Sequence, residues 1–521
     1  MNLQIRIMKT TNYLLQHFFC LSLSLSLFLC SPAFAATKYV SNTGNNSNTG
    51  NSWAQAWLTL QWAEDHITAG DTVWVQNGTY TGFDVRVTGT AANPIVFIAA
   101  GPNVVINVAT GTTDLINVEN AHYIEINGFR VINSPRNGIR LVNANHCIVR
   151  NNYCESSFER GIFTGFTDDI LIEYNECLTS DDEHGIYVSN SSDRSIIRYN
   201  VCHHNNRGGI QINADESQGG DGISTDPEIY GNIIYENGEA GGAAINLDGV
   251  QGAFIYNNLL YQNHASGIAL FQQDGAEPSI DADIVHNTII NASDARWCIL
   301  IVNGSTGAQV YNNIIINQHA WRGSIALDAD AVPGFNSDYN VLVNSLSANG
   351  DGVHIPLAQW QALGYDAHSM LAAPLAEIFV SPGSADYHLG SNSQAINAGN
   401  SGFAFGINVD IEGITRPQGI QHDLGAYEFQ GPLSIDEEEV EEGQNPFAQT
   451  QRISITGSSI SWNGDLLRHI AIYNVSGQKI IEFDVEESGT YSTEHFIPGL
   501  YLAVAYDDHQ QFLSAKGFFV R

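Results

Sequence analysis

Eight asparagines punctuate the middle of the chain. They are Asn152, Asn175, Asn200, Asn232, Asn258, Asn287, Asn313 and Asn340, with spacings of 23, 25, 32, 26, 29, 26 and 27 residues. Each closes a short apolar stretch, and a small residue then opens another: GIRLVN from 138, GIFTGF from 161, HGIYVSN from 184, GIQIN from 209, AINLD from 244, GIALF from 267, CILIV from 298 and SIALD from 324. The period is too short for strand–helix–strand units, and apolar residues do not recur at helical spacing. Strands of four to six residues at a near-fixed period, with polar turns between them, specify the coils of a solenoid. Equivalent positions then stack about 4.8 Å apart. The asparagine column therefore predicts an amide ladder at a bend. Cys154, Cys177 and Cys202, each two residues past a ladder asparagine, predict a column of buried thiols.

Composition narrows the partners. Lys plus Arg number 20 and Asp plus Glu 55 in 521 residues, a formal charge of −35. Phosphate binding needs clustered Lys and Arg, so nucleic acid and anionic membranes are excluded as partners. Charged residues are 14% and hydrophobic residues 43%, which excludes a mostly disordered chain and provides for a large core. Arg6 and Lys9, the apolar run Phe18–Leu29 and Ala33-Phe34-Ala35 read as a secretory signal peptide, residues 1–35. No other stretch reaches membrane-spanning length, so the expectation is a mature protein that is secreted or attached to the outer cell surface. The leader takes two of the seven cysteines. The remaining five are an odd number and contain no CxxC pair, which argues against both a disulfide framework and a zinc site.

Residues 37–345 resemble the right-handed parallel β-helix family of secreted carbohydrate-active proteins, the pectate-lyase-like superfamily. The opening also fits: KYVSNTG from 38, a capping helix expected over Trp53 to His66, then GDTVWVQNGTY from 70. The resemblance implies an all-β fold, a parallel β-helix over 36–345 with an N-terminal helical cap. A cap is needed because an open solenoid end exposes unpaired strand edges. Residues 346–430 hold LAQWQALGYDAHS, expected as a short helix over the last coils. SADYHLGSNSQAINAGN from 384, the D410-I-E-G-I-T-R-P run and HDLGAYE from 422 then resemble the choice-of-anchor Q module. Residues 431–451 form a linker with the acidic run IDEEEVEE. Residues 452–521, with IAIYNVSGQKI from 470, PGLYLAV from 498 and a terminal AKGFFVR, resemble the C-terminal sorting domain of type IX secretion. That implies a small β-sandwich-like domain, with the type IX secretion machinery as partner.

Strand alternation marks an outward face. With Ile186 and Val188 pointing in, Tyr187 and Ser189 point out. The same phase gives one outward column of Arg140, Phe163, Tyr187, Gln211 and Asn246, and a second that includes Asn213 and Asp248. Aromatic rings and amides on a long flat face suit a polysaccharide. The turns before the strands overhang this face and carry Asp181, Asp182 and His184, then His203, His204 and Arg207, then Glu236 and Glu239. Paired carboxylates, an imidazole and a guanidinium can supply acid, base and a charge clamp. Asp181, Asp182, His184, Tyr187 and Arg207 are the expected catalytic group. Arg140, Arg160, Phe163, Gln211, Asn213 and Asn246 are the expected substrate contacts. The Gly-rich turn 213–226 and its neighbours put Asp215, Asp221, Asp248 and Asp274 forward as calcium ligands. Lys38 is the only lysine between 36 and 451, so the lysine base of some related lyases is missing, and an arginine or His184 with Tyr187 must serve instead. The resulting expectation is a calcium-assisted polysaccharide lyase or epimerase. A glycoside hydrolase using an Asp pair and a non-catalytic glycan-binding solenoid stay open beside it.

Overall fold

Each repeat closes into one coil of three short strands, and the coils stack into three parallel sheets of 12, 10 and 12 strands. The result is an all-β right-handed parallel β-helix of about 12 turns. The computed structural model describes residues 35–430 and, with short gaps, 452–520. The stretch expected as a signal peptide, apart from Ala35, and the expected acidic linker lie outside the described residues.

The repeat phase read from the sequence is the observed register. Ile139, Ile162, Ile186, Ile210, Ile245, Ile268, Ile299 and Ile325 form one continuous column in the ten-stranded sheet, all with no exposed surface. The asparagine ladder also forms. Each Nδ2 donates to the Oδ1 of the next coil at 2.9–3.1 Å, from Asn152 to Asn340. The residue before each ladder asparagine has positive φ, as at Asn151, Tyr174, Tyr199 and His286. A tyrosine or histidine in the left-handed region is strained. The buried amide bonds stabilise this sharp bend between two sheets. A second ladder, Asn205 to Asn237 to Asn263, turns the next corner with bonds of 2.9 and 3.0 Å. Cys154, Cys177 and Cys202 are register partners, and the five described cysteines are free and buried.

Both ends of the core are closed. The N-terminal helix is shorter than the span Trp53 to His66: it covers only Leu60–Glu64, after a single 3-10 turn at Trp53–Gln55. The backbone of Trp57 instead pairs in parallel alongside Val40 of the first strand, which removes it from any helix. At the other end the helix Leu357–Ala362 buries Leu357 and Trp360 against the last coils, and Trp360 Nε1 donates to Asp366 Oδ2 at 2.7 Å. Residues from Ile378 to Tyr427 then fold back over Leu259, Ile290, Ile314 and Val341 of the third sheet. Within this layer a fully buried Arg416–Glu428 pair closes at 2.7 Å. Residues 452–520 form antiparallel sheets of three and four strands around Ile460, Ile470, Ile472 and Ala503.

Candidate functional site

The ten-stranded sheet presents a groove of about 520 Å³ between the coil of Arg160 and that of Arg296. Its floor is the column Tyr187–Gln211–Asn246–Ala269–Leu300, in continuous register. One wall is the turn residue three positions before each core isoleucine: Glu183, Arg207 and Arg296. Between the two arginines the turn narrows to Ala240, Gly241 and Gly242, so the groove stays open there. The other wall is Asn213, Asp248 and the loop 271–275.

Tyr187 is the best-anchored polar group on the floor. Its hydroxyl accepts from Asn213 Nδ2 at 2.9 Å, and Asn213 Nδ2 also donates to Asp274 Oδ2 at 3.2 Å. The Arg160 guanidinium lies 4.5 Å from the ring centroid. Burial pushes the Tyr187 phenol up from its ordinary value, which keeps it protonated. Gln211 and Asn246 are tied together by a 2.6 Å amide bond.

His184 is 6% exposed. Burial, then the charges of Arg160 and Arg207, push its pKa down to about 3. The ring is therefore neutral, and its Nδ1 has no partner among the described residues. It fits beside Gly208, where a Cβ would come within 2.1 Å of the Ala243 oxygen and 3.2 Å of Nδ1.

Arg160 is spent on two carboxylates, Glu159 and Glu183, both at 2.6 Å. Burial raises the Glu183 carboxyl from its ordinary value against the pull of Arg160. The Arg207 side chain makes one hydrogen bond, from Nε to the Asp182 carbonyl at 3.3 Å. Neither Arg207 nor Arg296 has a carboxylate partner among the described residues.

Several expected residues are elsewhere. Asp181 and Asp182 are exposed and do not line the groove, because their backbone amides bond to Ser157 and Phe158 of the previous coil and hold the turn along the stack. Their acidic neighbour Glu183 is the one on the wall. Arg140 is tied to Asn117 at 2.7 Å and lies 3.9 Å from Asp114, and Phe163 stacks on Tyr187 at 5.8 Å just outside the groove. His203 and His204 pair with Glu176 and Glu236 away from the groove. Phe271 follows Asn213 and Asp248 in the second outward column and lines the groove, whereas Arg296, Glu183 and Gln273 are not among the expected site residues. The signal for Arg296 and Glu183 was their shared offset from the core isoleucine, which matches Arg207.

Each of the four aspartates expected as calcium ligands is held by its own donors. Asp248 is 1% exposed and its carboxylate accepts three backbone amides, from Gln273 and Asp274 at 2.9 Å and Gly275 at 3.2 Å. Asp215 accepts from Ser217 and Asp221 from Ile223, each within its own turn. Asp274 is held by Asn213. Among the described residues no group of three or more His, Cys, Asp or Glu is placed to hold a metal ion.

Residues 38–182 match the family model described as Pel9A-like, right-handed beta helix region. The crystal structure of pectate lyase Pel9A superimposes with a TM-score of 0.53 at 15% identity, over 76% of this chain and 98% of that one. An alginate lyase from Paenibacillus sp. str. FPU-7 gives 0.42 at 22% identity, over 53% and 96%. The A-module of the Azotobacter vinelandii mannuronan C-5 epimerase AlgE6 gives 0.42 at 14%, over 58% and 91%. No curated protein sequence matches the chain. The match over residues 38–182, the superposition on Pel9A and the coil geometry agree on the architecture: the chain folds as a right-handed parallel β-helix.

Proposed function

We propose that the groove binds an acidic polysaccharide and acts on it by removing the proton α to a uronate carboxylate, as a lyase or an epimerase. One observation carries this reading. In a chain of net charge −35, Arg207 and Arg296 face the groove with no carboxylate partner among the described residues. A guanidinium recognises a carboxylate bidentately and stabilises charge that develops on it. Two of them, flanking a floor of tyrosine and amides, match a chain that carries repeated carboxylates. The pectate lyase that shares the fold makes pectate the first substrate to test.

The residues divide the chemistry as follows. Arg207 and Arg296 hold substrate carboxylates and lower the cost of the α-carbanion. Glu183, whose carboxyl is raised by burial, accepts the proton. Tyr187, held protonated, gives its proton to the departing glycosidic oxygen as the carbon–oxygen bond breaks, which leaves an unsaturated sugar. Reprotonation of the carbanion from the opposite face would instead invert the carbon without cleavage. His184, neutral and buried, supports Tyr187, their rings 5.4 Å apart. No step in this reading is routed through calcium. The hydrolase alternative draws less support, since Asp181 and Asp182 are not among the residues that line the groove. Incubation with pectate and alginate separates the outcomes. A lyase yields an ultraviolet-absorbing unsaturated end, and an epimerase exchanges the α-proton with solvent without cleavage. New reducing ends without absorbance would replace this reading with hydrolysis.

A further inference from the structure

The offset that puts Glu183, Arg207 and Arg296 on the groove wall falls on Arg322 one coil further, just past the residues that line the groove. Ile299 pairs with Ile325, which sets Arg322 opposite Arg296 and Trp321 beside it. Trp321 is 49% exposed, yet its ring is fixed from below. It packs on His354 at 4.2 Å between centroids, and His354 in turn meets the buried Trp297 edge-on at 4.9 Å. Trp297 Nε1 donates to Asp351 Oδ1 at 2.6 Å. Asp351 also binds Arg322 at 3.1 Å, and that guanidinium lies 5.5 Å from the Trp321 ring.

Two consequences follow from this scaffold. The indole has already lost its rotational freedom, so a ligand that stacks on it pays little ordering entropy. Arg322 is neutralised by Asp351, unlike Arg207 and Arg296, so this coil offers a ring face rather than a charge. An exposed, pre-set aromatic surface in line with a polymer groove suits the apolar face of a pyranose.

The geometry points to Trp321 as the end subsite of the groove, stacking one sugar of the same chain whose carboxylates Arg207 and Arg296 hold. This rests on the acidic-polysaccharide reading. The recognised chain then spans the coils from Ile186 to Ile325, five coil steps or about 24 Å. The protein is accordingly selective for long chains over short oligomers.

The test is titration of the full mature protein with size-fractionated oligogalacturonates and oligoalginates, followed by calorimetry and by tryptophan fluorescence. Wild-type affinity should rise in a step at the length that reaches the coil of Trp321, with a fluorescence change at the same length. Trp321→Ala should remove that step and weaken the longest oligomers about tenfold. Trp321→Phe, which keeps a ring, should retain most of it and guards against a folding defect in the alanine variant. A step that persists in Trp321→Ala, or wild-type binding with no step at all, would overturn the subsite alone. Wild-type protein that binds neither series at any length would overturn the acidic-chain reading itself.

Discussion

Asn213 Nδ2 donates to the Tyr187 hydroxyl at 2.9 Å from the neighbouring coil. This bond points the phenol along the groove floor and joins the two coils on which Glu183 and Arg207 also sit. Removing the hydroxyl should therefore stop chemistry without disturbing the fold. Tyr187→Phe is expected to lower turnover about 10²-fold or more, with the melting midpoint close to wild type. Glu183→Gln should do the same. Wild-type turnover in both variants would move the chemistry out of this part of the groove.

Arg207 and Arg296 should act on substrate affinity and, through the charge that develops on the carboxylate, on turnover. Alanine at either position is expected to raise KM for a polyuronate about tenfold. Lysine should restore only part of that, since a point charge lacks the planar fork. Wild-type KM should also rise with ionic strength, because the contacts are charge pairs on an open surface. A KM that ignores both salt and the substitutions would contradict the carboxylate-clamp role.

The pieces legible in the sequence were those tied to strand alternation or to the repeat period. The isoleucine column, the amide ladder and the floor residues Tyr187, Gln211 and Asn246 all follow from a period of two within strands and one coil between them. Turn residues follow the repeat only at the position three before each core isoleucine, and elsewhere obey neither rule. In the run from Asp181 to His184, backbone bonds to the previous coil decide which acid faces the groove, and they choose Glu183. The fate of Asp248 depends on loop 271–275 folding back to place three amides on one carboxylate. Sequence composition shows the aspartates but not those amides. Arg296 was readable in principle, three residues before Ile299 as Arg207 is before Ile210.

His184 gives a pH prediction with a definite sign. Its folded pKa is about 3 against an ordinary value of 6.5. Between those values the unfolded chain binds a proton and the folded chain does not. Stability from the neutral ring is complete above about pH 6.5 and falls as pH drops, by up to about 1.4 kcal/mol per pH unit. Relative to His184→Gln, the wild type should lose ground between about pH 7.5 and about pH 5 in urea unfolding. A difference between the two proteins that is constant with pH would place the imidazole in solvent.

Chelation offers a further check. Asp215, Asp221, Asp248 and Asp274 each bind their own local donors. The melting midpoint should accordingly be the same in EDTA and in excess calcium. A calcium-dependent rise would show a site on the native state by mass action.

The central claim is that the groove removes the proton α to a uronate carboxylate. Its most direct test is a time course of wild-type protein with pectate and with alginate in deuterated water, read by ultraviolet absorbance and by NMR of the sugar. The account predicts either growing absorbance from an unsaturated end or deuterium at the α-carbon, in each case abolished by Glu183→Gln. Polymer that binds in the groove but gains neither absorbance nor deuterium would contradict it, and would make the protein a glycan-binding solenoid.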